Sequence, residues 1–196
     1  MRRLNYKIMI ACGLFVLLLG CKKPTVNNPV IPTPEFVHHK ILQGQHYSDK
    51  TKVENFEQQE LRFVAKFDSS AIYSTILPSN QFDINKLYGF ADNGELHQSF
   101  SARFGWRWSN NALRLFAYVY NNGLVTSQEL GVISIGAEQD CSIKVQGSSY
   151  AFSLNGTTTL MQRSSTTITG KGYKLFPYFG GDETAPHDIH IWIKEK

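Results

Sequence analysis

The stretch 99–121 constrains this chain more than any other, because its strand register can be written down from the sequence. Asn110-Asn111 suits a turn whose central residues need positive φ, and a two- or four-residue loop centred there gives the same pairing. Trp108 then faces Leu113, Trp106 faces Leu115, Phe104 faces Ala117 and Ala102 faces Val119. Every one of those pairs is apolar, so this side is core. The other side sets Arg107 opposite Arg114, Gly105 opposite Phe116, Arg103 opposite Tyr118 and Ser101 opposite Tyr120. Like charges directly across a strand pair are destabilising, and exposed aromatic rows leave apolar area in water. A purely structural sheet has no reason to assemble both.

The same period of two runs from about Phe36 to the C-terminus, with turn signals every ten residues or so. Leu61, Phe63, Ala65 and Phe67 alternate with Arg62, Val64 and Lys66, and Cys141, Ile143 and Val145 alternate with Ser142, Lys144 and Gln146. Gly147-Ser148-Ser149 turns the chain into Tyr150, Phe152 and Leu154, and Asn155-Gly156 follows as a hairpin signal. In the last strand, from Asp188 to Lys194, Ile189, Ile191 and Ile193 share one face while His190 and Trp192 take the other. Residues 49–60 and 80–87 could each hold a short helix, too little to make the fold α+β. The expected fold class is all-β, a two-sheet antiparallel sandwich or jelly roll over residues 36–196.

The N-terminus is a targeting segment. Arg2, Arg3 and Lys7 precede an uncharged apolar run from Ile8 to Leu19, the n- and h-regions of a secretory signal, and the run is too short to span a bilayer. Leu18-Leu19-Gly20-Cys21 resembles the lipobox of bacterial lipoproteins. That resemblance implies cleavage before Cys21, acylation of its thiol and attachment to the outer membrane of the cell envelope, on a periplasmic or outer face the sequence does not decide. Lipid is then the only membrane contact, several acyl chains holding where one would not. With residues 1–20 removed, the net charge of +4 falls to +1, from 17 basic and 16 acidic residues. A chain that neutral lacks the basic stripe nucleic acid requires. Residues 22–35 carry four of the seven prolines and read as a tether, reaching up to about 40 Å at ~3.1 Å per residue. Of the three cysteines only Cys141 is left free, so no intramolecular disulfide forms, and its place in an alternating strand makes it a core residue.

Beyond the lipobox, the stretches SARFGWRW, LFAYVYNNG, YAFSLNG and KLFPYFGGDETAPHDIHIWI look like those of concanavalin A-like jelly-roll domains in cell-envelope lipoproteins, over residues 85–196. Such domains commonly bind or cleave polysaccharide on a concave sheet. The resemblance places Arg103, Arg107, Arg114, Phe116, Tyr118 and Trp192 near that sheet, and strand parity independently gives these residues a non-core face. Aromatic faces stack on sugar C–H groups, and the arginine fork pairs with hydroxyl, uronate or sulfate oxygens. The leading expectation is a membrane-anchored carbohydrate-binding module for an acidic poly- or oligosaccharide, using Arg103, Arg107, Arg114, Phe116, Tyr118, His190 and Trp192. The alternatives are a polysaccharide lyase or glycoside hydrolase on the same fold, and a structural or protein-interaction lipoprotein. The sequence sets no oligomeric state.

Catalytic signals are thinner, and no catalytic residue is assigned. A retaining glycosidase needs two carboxyl groups about 5 Å apart, whereas the acidic residues here fall in turns: Asp92 and Glu95, Glu138 and Asp140, Asp182 and Glu183. A lyase needs a His or Tyr base and a group that neutralises the uronate; His97, Arg103, Arg107, Tyr118 and His190 are of the right types. No cofactor is required by any motif. The resemblance implies a structural calcium near the last strand, for which Asp182 and Asp188 offer hard oxygen ligands; a polar loop stiffened by Pro186 is the plainer reading. Adjacent His38 and His39 point to opposite faces of a strand, so the sequence does not make them a metal site, and no Cys/His cluster in it suggests zinc.

Overall fold

A computed structural model describes residues 34–196. The leader, Cys21 and nearly all of the proline-rich segment lie outside the described residues. Twelve strands form: β1 (Val37–Ile41), β2 (Asn55–Gln58), β3 (Glu60–Phe67), β4 (Asn85–Ala91), β5 (Phe100–Ser109), β6 (Ala112–Asn121), β7 (Leu124–Ile133), β8 (Gln139–Gln146), β9 (Ser149–Leu154), β10 (Thr157–Gln162), β11 (Gly170–Leu175) and β12 (Ile189–Glu195). They pair antiparallel into two six-stranded sheets, ordered β1-β12-β3-β8-β9-β10 and β2-β11-β4-β5-β6-β7. This is the all-β sandwich expected from the alternation.

The β5–β6 register is the one written down from the sequence, pair for pair from Ser101↔Tyr120 to Trp108↔Leu113. Asn110 and Asn111 sit at φ 52° and 55°, the geometry of a type I′ turn that matches strand twist. Asn122-Gly123 and Asn155-Gly156 turn the chain in the same way. The helix expectations at 49–60 and 80–87 fail. Phe56 alternates into the core from β2, and residues 78–82 form only a 3-10 turn, opened by Pro78, before the chain extends into β4.

The core lies between the sheets. Phe63 of β3 meets Phe104 of β5 edge-on, with centroids 5.4 Å apart, and Phe104 meets Phe152 of β9 at the same distance. Such pairs each add about 0.5–1.5 kcal/mol beyond the area they bury. Cys141 is buried here and its thiol is pushed up in pKa by that burial, as a core cysteine should be. Ile189, Ile191 and Ile193 also face inward, leaving His190 and Trp192 on the outside of the first sheet.

Candidate functional site

The outer face of the second sheet holds a cleft of about 550 Å³. One row of paired residues runs across the sheet beneath it: Leu175 of β11 opposite Gly89 of β4, Gly89 opposite Arg103 of β5, and Arg103 opposite Tyr118 of β6, with Leu175 and Arg103 lining the cleft. Gly89 is required here. A Cβ would overlap the Ala102 carbonyl and the Arg103 backbone and side chain, so only glycine lets the arginine lie down across the sheet. Tyr47, Thr51, Lys52 and Val53 from the β1–β2 segment form one rim, and Tyr178 and Gly181 from the β11–β12 loop another.

Arg103 dominates the electrostatics. It is 7% exposed, and its Nε is buried without a hydrogen-bond partner among the described residues. Burial lowers its pKa, and the ionisable groups set against that effect are Tyr118, Tyr120, Tyr173 and Tyr178, with no carboxylate among them. Its guanidinium lies 5.7 Å from the Tyr118 ring centre, and the Lys86 ammonium lies 4.7 Å from the same ring. Desolvation, then the charge of Arg103, brings Lys86 down to about 8, opposed by Asp83. Lys86 donates to the Ile84 carbonyl at 2.7 Å. Lys52 and Lys174 complete the basic lining, and both pair with Glu54. No Asp or Glu lines the cleft among the described residues. Buried charges are ordinarily paired; Asp83 opposes the burial of Lys86, whereas only tyrosines are set against that of Arg103, so the Arg103 guanidinium is the group suited to an anion.

At the opposite wall His97 Nδ1 and the Tyr173 hydroxyl are 2.9 Å apart. Burial, then Arg103, lowers the His97 pKa, which favours the neutral imidazole, and the contact is a hydrogen bond between that ring and the phenol.

The residues expected from sequence do not all gather here. Arg103 lines the cleft, and Tyr118 lies buried beneath Arg103 and Lys86. Arg107 and Arg114 are further along the same face and are satisfied within the protein. Arg107 donates to the Phe82 carbonyl at 2.7 Å and lies over the Phe116 ring, while Arg114 pairs with Glu129 at 2.7 Å. Those partners explain how two arginines stand directly opposite each other. Phe116 is 4% exposed beneath Arg107 and presents no free face. His190 and Trp192 lie on the other sheet, because β12 belongs to the β1-β12-β3 side of the sandwich, so they do not extend this platform. Trp192 is flanked there by His38, its cross-strand partner on β1, and by Lys66 on β3.

Sequence reasoning assigned no binding role to Lys86, Tyr120, Tyr173 or Tyr178. Lys86 stands as the one charge in the strand NKLYGFA, a signal that strand parity with Arg103 would have made useful. Tyr178 enters from a loop, where no periodicity points to it.

Among the described residues no group of three or more His, Cys, Asp or Glu is placed to hold a metal. Asp182 is exposed. Asp188 accepts from the Gln43 backbone at 2.9 Å and pairs with Lys40 at 3.5 Å. A calcium there would have to draw on backbone carbonyls and water.

No family model matches the sequence, and no curated protein is similar to it. Solved structures are. An alginate lyase, AlyC3, matches with a TM-score of 0.55 and 11% identity over 83% of this chain and 74% of its own. A glycoside hydrolase family 16 endo-glucanase from Bacteroides ovatus matches at 0.54 and 11%, covering 82% and 80%. A laminarinase catalytic domain from Thermotoga petrophila matches at 0.50 and 11%, covering 82% and 76%. At such identity the likeness fixes the fold: the chain is a concanavalin A-like jelly roll, and its cleft lies on the outer face of one of its two sheets.

Proposed function

We propose that the protein is a cell-envelope lipoprotein, held through Cys21, whose cleft binds an acidic polysaccharide. The observation that carries this reading is Arg103: a buried guanidinium whose Nε has no partner among the described residues and whose burial is opposed only by tyrosines, beside Lys86 in a tyrosine-lined cleft. A uronate carboxylate would supply the missing charge, and the tyrosine rings would stack on the sugar. Alginate lyase AlyC3 shares the fold, which makes a uronate polymer a reasonable first ligand to test. For a hydrolase reading, glycosidases need a carboxyl pair, and among the described residues the cleft lining holds none.

The test is retention on immobilised uronate and neutral glycans by the full-length chain and by Arg103→Met. Retention of acidic glycans that disappears in the variant, with the thermal transition within a few degrees, is the expected result. Equal retention by both proteins would overturn the site.

One observation favours a second reading, that the cleft also cleaves its ligand by β-elimination. His97 and Tyr173 form a hydrogen-bonded acid–base couple across the same cleft as Arg103. Elimination needs a base at C5 of the uronate and a cation to neutralise its carboxylate. Incubation with alginate, pectic and glucan polymers, followed by absorbance of unsaturated uronate, separates the readings. Absorbance lost in Tyr173→Phe supports cleavage; binding without absorbance leaves a binding module.

A further inference from the structure

We propose that His38 and His190 form a binding site for a divalent transition metal on the outer face of the first sheet, opposite the cleft. The register pairs His38 with Trp192 and Lys40 with His190, which makes the two imidazoles diagonal neighbours on one face of β1 and β12. His38 Nε2 and His190 Nδ1 are 2.8 Å apart, and the ring planes differ by 20°. One nitrogen of the pair carries a proton and the other offers its lone pair.

Two nitrogens bound to one zinc at ~2.0–2.1 Å in tetrahedral geometry stand about 3.3 Å apart. The pair has to open by only a few tenths of an ångström and turn its lone pairs off the common axis. Part of the ordering is already done, because His38 stacks on Trp192 with centroids 4.6 Å apart and planes 9° apart. Burial, then His190, lowers the His38 pKa, which favours the neutral form that ligates metal. As a structural device the pair gains little. A hydrogen bond at an exposed position replaces equivalent bonds to water and nets at most about 1 kcal/mol.

Imidazole suits zinc, copper and nickel rather than calcium or magnesium. With two protein ligands, water fills the remaining positions, since the neighbouring carboxylates are engaged: Asp188 by Lys40 and the Gln43 backbone, Asp49 by the Lys40 backbone and Asp68 by the Ser70 backbone. On binding, the donor imidazole carries its proton on its other ring nitrogen; no bond to carbon breaks and no electron moves.

The experiment is calorimetric titration of tag-free, full-length protein with Zn²⁺ and Ni²⁺, together with tryptophan emission during Ni²⁺ addition. His38→Phe keeps a ring against Trp192 and removes one ligand; His190→Ala removes the other. The expected result is one site at micromolar Zn²⁺, with emission quenched by Ni²⁺. Each variant should bind at least about tenfold more weakly, the loss that even an outer-shell partner causes, at an unchanged melting temperature. No micromolar binding by the wild type, or equal binding by wild type and both variants, would overturn the site. Glycan retention does not enter either readout, so the two proposals fail separately.

Discussion

Arg163 donates its Nε to Asp92 Oδ2 at 2.8 Å, with both side chains withdrawn from solvent. Tyr150 donates to the same oxygen at 2.6 Å, and the Lys171 backbone donates to Oδ1 at 3.0 Å. One carboxylate therefore ties the 163–171 segment to the end of β4. Burial pushes the Asp92 carboxyl up, but Arg163, Tyr150 and two backbone N–H groups outweigh it and hold the pKa below the usual range. Asp92→Asn should cost about 3–5 kcal/mol in denaturant unfolding, because it strands a buried guanidinium. Arg163→Met added to Asp92→Leu should recover a large part of that loss. A single-variant cost below that of a surface ion pair, about 1 kcal/mol, would show that the pair is solvated in practice.

Gly89 lies opposite Arg103, and its missing side chain is what lets the arginine cross the floor of the cleft. Gly89→Ala should cost about 1–3 kcal/mol from overpacking. It should also weaken acidic-glycan retention, because Arg103 is pushed from its place. Thermal melting and glycan retention together check this. Lost stability with full retention would mean that Arg103 is not the group that binds.

How much of this was legible in the sequence follows from which forces are local. The β5–β6 register came out residue by residue because Asn110-Asn111 fixes the turn and a slip by one would turn every apolar residue outward. The turn at Asn155-Gly156 was readable for the same reason. Parity also predicted correctly that His190 and Trp192 leave the core, but parity does not say which sheet a strand joins. That depends on the pairing of β12 with β1 and β3, contacts distant in sequence, and it separates Trp192 from Arg103. Nor could alternation show that Arg107 and Arg114 would be paired off by Phe82 and Glu129 while Arg103 would not. The difference comes from residues 78–84 and from β7, which close over one end of the face and leave the other open.

Lys86 gives the cleft a pH signature. With its pKa lowered to about 8 by burial and by Arg103, its ammonium is charged below that pH and neutral above it. Affinity for a uronate oligosaccharide should fall as pH rises through about 8, while the ligand's own carboxylate stays ionised. Lys86→Met should bind more weakly at pH 7 and show a flatter profile above it. Calorimetry across pH 6.5–9.5 measures both, and an unchanged slope in the variant would assign the titration to another group.

His39 makes stability depend on acid. It is 3% exposed, meets the Phe176 ring with centroids 5.9 Å apart and has a Ser48 hydroxyl at 3.5 Å, and burial there outweighs the pull of Asp49 towards the charged form. Desolvation lowers its pKa from 6.5 to about 4. Between those values the unfolded chain binds a proton that the folded one refuses. Stability from this group is therefore complete above pH 6.5 and is lost as pH falls towards 4, by up to about 1.4 kcal/mol per pH unit and about 3 kcal/mol in all. His38 and His97 are also lowered and act in the same direction, so the contribution of His39 is the difference between wild type and His39→Leu. Urea unfolding at pH 7.5 and pH 4.5 should show the wild type losing more stability than the variant by about 2–3 kcal/mol. Equal losses in the two proteins would mean that His39 takes up its proton in the folded state as readily as in the unfolded one.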